Sequence, residues 1–97
     1  MTSALLTERR RLLILQLLQQ DPNYSINDRL LHTLLSQAGQ GALLAVVRND
    51  LAWLEDMELL ATNELYDCTV AVLRSEGVDV ALGLAHVQGV ARPRPVA

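Results

Sequence analysis

Leu43-Leu44-Ala45-Val46-Val47-Arg48-Asn49-Asp50-Leu51-Ala52-Trp53-Leu54 is the stretch whose reading decides the fold. Val47, Leu51 and Leu54 stand at i, i+4 and i+7, the spacing of one helix face. On a helix that turns about 100° per residue, Leu43, Leu44, Leu51 and Leu54 all fall within about 60° of Val47. That stripe predicts an inward face on a helix from about Ala42 to Met57. The opposite face holds Ala42, Ala45, Asn49, Ala52 and Asp56, flanked by Arg48 on one side and by Val46 and Trp53 on the other. Downstream, Leu59 to Asn63 and Cys68 to Leu73 read as two short strands, the second supplied with β-branched Thr69, Val70 and Val72. Glu64-Leu65-Tyr66-Asp67 connects them without a glycine, and Ser75 starts a last helix predicted to run through Ala85.

Upstream, Thr7 is a cap for a helix ending at Gln20, before Asp21-Pro22-Asn23. Leu6, Ile14 and Leu17 fall near Leu13, while Leu12, Leu15 and Leu18 fall on the opposite side or its flanks. A helix that is apolar most of the way round must be covered on two sides. One side faces the domain core. The other meets either a partner subunit, through Leu15 and Leu18, or the rest of the same chain. Ser25 or Asn27 caps a second helix, with Asp28 near its positive end and Leu30, Leu31, Leu34 and Leu35 as its inward stripe. Gly39-Gln40-Gly41 stops that helix and turns the chain into the third. The predicted organisation is one domain over 1–86 and a flexible Arg/Pro tail over 87–97.

Ninety-seven residues suffice for one modest core. The chain is 51% hydrophobic without a single Phe, so its apolar content is mostly Leu, Val and Ala. Such a chain keeps apolar surface exposed unless something covers it, and self-association is the simplest cover. A net charge of −3 disfavours a generic binder of nucleic acid or anionic membranes. Every cation is an arginine, and Arg9-Arg10-Arg11 form the one cluster. Cys68 stands alone and only two histidines accompany it, which leaves no metal-ligand cluster and no internal disulfide. No apolar run is long enough to cross a bilayer. No phosphate loop, nucleophile elbow or paired carboxylates point to an enzyme, and no cofactor is implied.

The order helix, helix, turn, helix, strand, hairpin, strand, helix resembles winged helix-turn-helix proteins over residues 5–85. In particular, the chain resembles small winged-helix proteins encoded in Mu-like prophages and often labelled ArsR-like regulators. The resemblance rests on Leu5-Leu6-Thr7-Glu8-Arg9-Arg10-Arg11-Leu12-Leu13-Ile14, on Arg48-Asn49-Asp50-Leu51-Ala52-Trp53-Leu54 and on Val87-Gln88-Gly89-Val90-Ala91-Arg92-Pro93. It implies a mainly α fold with a small antiparallel β-hairpin, and a phage protein of the bacterial cytoplasm that binds double-stranded DNA and regulates transcription. The turn into the first strand of the hairpin usually carries Gly in such proteins; here it carries Glu58.

In a winged-helix reader the third helix enters the major groove. Arg48 and Asn49 would then contact bases or phosphates, and Arg9, Arg10 and Arg11 would rest on the backbone. The rest of that face argues otherwise. Asp50, Glu55, Asp56 and Glu58 surround a single arginine, and phosphate neutralisation is a large part of DNA affinity. The alternative is a protein-interaction or oligomerisation module on the same scaffold, with an interface of Ala45, Val46 and Trp53 besides Leu15 and Leu18, and a homodimer as the expected assembly.

Overall fold

Asn27 opens the second helix: its Oδ1 accepts the N–H of Leu30 at 2.8 Å, one of the donors that a helix start leaves free. Around that cap the structure, a computed structural model, describes residues 2–95. The elements are α1 (Thr2–Gln20), β1 (Ser25–Asn27), α2 (Asp28–Gln37), α3 (Leu44–Asp56), β2 (Leu60–Leu65), β3 (Cys68–Leu73) and α4 (Ser75–Ala81). The strands form one antiparallel sheet in the order β1-β3-β2. This is a winged-helix-like α/β arrangement, with α2 and α3 as the helix-turn-helix and β2–β3 as the wing.

The strand β1 is the addition to the sequence reading. Its three residues are too short to show a period, yet they pair with β3 in the register Ser25↔Val72, Ile26↔Ala71 and Asn27↔Val70. The hairpin is tighter than predicted. Leu65 pairs with Cys68, leaving only Tyr66 and Asp67 as the turn, with Tyr66 at φ 55. The first helix starts at Thr2, five residues ahead of the predicted cap, and the last stops at Ala81.

The inward stripe of α3 is Val47, Asp50, Leu51 and Leu54, all buried. Leu43 does not join it. Leu43 is the residue before the helix, with extended backbone at φ −61 and ψ 149, so a helical projection does not apply to it, and it is 75% exposed. Leu30 also points out, because the buried stripe of α2 runs through Asp28, Leu31 and Leu35.

The first helix is enclosed within one chain. It packs against α2, β3 and α4, and Ile14, Leu15 and Leu18 are fully buried. A partner interface through Leu15 and Leu18 is therefore ruled out in this fold: their side chains fill the core between α1 and its neighbours. The predicted tail also packs on this helix. Residues 87–91 return along α1 as a strap, with Val90 buried, Val87 and Ala91 packed on the core, and the Ala91 N–H donating to the Glu8 carbonyl at 3.1 Å. The flexible tail predicted from 87 is corrected to that extent, and residues 96 and 97 lie outside the described ones. Apolar Val87, Val90 and Ala91 contribute burial that a free tail would forgo.

Glu58 sits where α3 gives way to β2, at φ 63. Its N–H donates to Glu55 O at 2.9 Å and the next N–H, of Leu59, reaches back to Leu54 O at 3.0 Å, closing the end of the helix. A left-handed conformation costs a β-carbon residue roughly 1–2 kcal/mol. Part of that cost returns when glycine loosens the unfolded chain. Glu58→Gly is expected to stabilise the fold by about 0.5–1 kcal/mol, read as a rise of roughly 3–6 °C in the unfolding midpoint. An unchanged or lower midpoint would contradict the turn geometry.

Candidate functional site

One helix, α3, brings a buried carboxylate to the side of α1. Asp50 lies on the buried stripe of α3 with its side chain 4% exposed, and it holds two guanidiniums. Arg10 Nε donates to Asp50 Oδ2, and Arg11 Nε donates to Oδ1 at 3.2 Å. Arg11 reaches further: its Nη1 donates to the Gly89 carbonyl at 3.2 Å, and its guanidinium lies 3.9 Å from the centroid of the Trp53 ring. Gly89 completes this stack. Its φ is 101, and a β-carbon there would come within 2.6 Å of the Trp53 ring. The three stretches that carried the resemblance, 5–14, 48–54 and 87–93, therefore converge on one cluster of Arg10, Arg11, Asp50, Trp53 and Gly89.

That convergence removes Arg10 and Arg11 as phosphate contacts. Their side chains are only 12% and 18% exposed and are committed to Asp50. Trp53 is half-buried, with the strap glycine and the Arg11 guanidinium on its ring, so contacts within the chain cover part of the predicted interface anchor. Arg9 alone of the three points away from this cluster.

Arg48 is engaged as well. Its Nε donates at 2.7 Å to Oδ2 of Asp28, whose side chain is fully buried at the start of α2. Burial is the largest single influence and opposes the charge on Asp28, but Arg48 together with the backbone at Thr69 and Arg29 holds the carboxyl below the usual carboxylate range. Asp28 in turn raises the pKa of Arg48. The other oxygen of Asp28 is buried without a hydrogen-bond partner. This pair ties α2 to α3 across the helix-turn-helix. It leaves Asn49 as the free polar side chain of α3 that was predicted to meet DNA, exposed beside exposed Ala45 and Ala52.

Between α3 and the wing runs an open groove of about 490 Å³. Arg48 is the one cation lining it, and the carboxylates are Glu55, Glu64 and Asp67. Glu55 Oε1 accepts the Thr62 hydroxyl at 2.7 Å and its Oε2 the Thr62 N–H at 2.9 Å, which pulls its pKa down. Thr69 donates to Glu64 at 2.9 Å across the wing, and Asp67 faces Arg29 at 3.6 Å with both side chains largely exposed. The groove is thus hydroxyl-lined and net negative. Tyr66 is fully exposed at the tip of the wing.

Sequence reasoning missed Asp50 and Asp28 as structural anions. The signal was present: each acid stands on a buried stripe, Asp50 at i+3 from Val47 and Asp28 at i−3 from Leu31. A carboxylate in that position requires a cation or donors brought to it.

No solved structure and no protein-family model matches the chain. It is 41% identical over 95 residues to the uncharacterized protein gp26 of Escherichia phage Mu, with 98% of each chain covered. An identity of that size over nearly the whole of both chains shows common descent: the chain belongs to the phage protein family of Mu gp26.

Proposed function

We propose that this phage winged-helix protein is a non-catalytic interaction module whose α3–wing groove receives a positively charged segment of a protein partner. The observation that carries the reading is the commitment of Arg48 to buried Asp28 in a groove otherwise lined by Glu55, Glu64 and Asp67. Duplex DNA presents one negative charge per roughly 1.7 Å of axis. Carboxylates facing it repel, whereas arginine or lysine on a partner meets complementary charge. Exposed Ala52 lines this groove, and exposed Ala45 stands on the same outer face of α3, an apolar border of the kind interfaces use. Pairing with a second copy would use a face other than Leu15 and Leu18. The bacterial cytoplasm, where phage genes are expressed, is the proposed place of action.

A transcription regulator that reads DNA through α3 is the second reading. Exposed Asn49 favours it, since an asparagine can pair with adenine in two hydrogen bonds, and its small neighbours allow close approach. Fluorescence polarisation with a labelled peptide alternating arginine and leucine separates the two. Binding is expected, and E64R with D67R should weaken it tenfold or more while the fold stays intact. Duplex DNA binding that disappears in N49A, a substitution at an exposed side chain, would overturn the proposal in favour of the second reading.

A further inference from the structure

Of the eight arginines, five are paired with acids: Arg10 and Arg11 with Asp50, Arg48 with Asp28, Arg29 with Asp67 and Arg74 with Glu76. The other three, Arg9, Arg92 and Arg94, have no acidic partner among the described residues, and all three line one groove. It lies between α1 and the C-terminal strap, measures about 640 Å³, and shares no lining residue with the α3–wing groove. None of its lining residues is acidic, and Gln16 and Gln40 add amide donors. The strap that carries Arg92 and Arg94 is fixed to α1 by Val90 and by the Ala91–Glu8 hydrogen bond, so these charges are held beside Arg9 rather than trailing in solvent.

Charge is therefore segregated on this scaffold in the reverse of the expected sense. The surface of the reading helix and wing is acidic, and the free positive charge gathers at α1 and the strap. We infer that the α1–strap groove binds the phosphate backbone of a nucleic acid through Arg9, Arg92 and Arg94, without reading its sequence. Arginine suits this role because its planar guanidinium matches phosphate oxygens in two parallel hydrogen bonds. Arg92 and Arg94 alternate with Pro93 directly after the strap, and Arg9 adds a third charge from the helix. A row of cations fits a polymer of phosphates better than a single small anion. Backbone contacts of this kind position a protein and carry no base information. The inference goes beyond the interaction proposed for the α3–wing groove and stands or falls separately from it.

Salt-dependent titration of a mixed-sequence 20-base-pair duplex and of one of its single strands tests it. Three phosphate contacts predict a slope of log K against log salt near −2.7 for the duplex and near −2.1 for the single strand. Binding should be measurable at about 20 mM salt and should fall roughly 200-fold by about 150 mM for the duplex. R9Q, R92A and R94A should each flatten the duplex slope by about 0.9, and the triple variant should abolish binding with an unchanged thermal midpoint. R29A, at a largely exposed arginine outside this groove, should leave the slope as it is. Absence of binding at 20 mM salt would overturn the inference. So would a slope indifferent to the three substitutions, or displacement of the duplex by polyglutamate at matched charge concentration, which would assign the groove to an acidic protein segment. None of these results bears on the arginine–leucine peptide, whose failure to bind would instead remove the reading of the α3–wing groove.

Discussion

Gly77→Ala is expected to cost about 2–3 kcal/mol of stability, although alanine is ordinarily the better helix residue by up to about 1 kcal/mol. Gly77 is the third residue of α4, and a β-carbon there would lie 2.1 Å from the Leu59 carbonyl oxygen and 2.6 Å from Leu73 Cδ1. The oxygen cannot retreat freely, because it accepts the Arg74 N–H at 3.1 Å just ahead of the helix. The substitution must therefore push α4 away from the start of β2, opening the packing of Val80 and Ala81 behind it. Denaturant unfolding reads the effect as a lower midpoint with little change in slope. A neutral or stabilising alanine would mean that α4 does not rest against Leu59.

Asp50→Ala is the second large effect, with an expected loss of about 3 kcal/mol. Removing one partner of a buried ion pair leaves the other charge uncompensated, typically at a cost of about 3–5 kcal/mol. Here two guanidiniums lose their acceptor, but each keeps a little access to water at 12% and 18% exposure, so the lower end of that range applies. The loss should spread beyond the core. Without Asp50, Arg11 is no longer held over Trp53 and under the Gly89 carbonyl, so exchange protection of the Ala91 amide and Trp53 fluorescence should both change. Replacing Asp50 by Leu together with Arg10 and Arg11 by Met should recover much of the stability, as apolar substitutes for buried ion pairs often do. If Asp50→Ala unfolds at the wild-type midpoint, the cluster is not the tie between α1, α3 and the strap.

The helices and the wing were legible because their apolar residues repeat at helix or strand spacing. Val47, Leu51 and Leu54 are all buried, and the predicted second strand, Cys68–Leu73, is β3 as observed. What escaped was non-periodic. The three residues of β1 show no alternation of their own and are fixed by pairing with β3. The strap could not be read from 87–91, because its burial depends on a groove built by α1 and Trp53 from distant parts of the chain. Glu58 is a partial case. The absence of the usual glycine was visible, whereas the left-handed φ that makes it strained required the structure.

The candidate site divides in the same way. Asn49, Ala45 and Ala52 face outward as their helical positions predicted. Arg10, Arg11 and Arg48 carried the expected positive charge, but their destinations depend on Asp50 and Asp28, which only tertiary packing brings to them. A run of three arginines fans around a helix by about 100° per residue, so two can turn inward while the third stays at a groove. Arg9 is that third residue.

The most direct measurement is the amide chemical-shift footprint of a mixed-sequence duplex on isotope-labelled protein at about 20 mM salt. The segregation of charge predicts shifts around Arg9, Gln16, Arg92 and Arg94, with residues 45–56 and the wing from 62 to 69 unmoved. A footprint centred on Ala45, Asn49 and Ala52 of α3 and on the wing would contradict it, and would return the protein to the ordinary mode of winged-helix DNA reading.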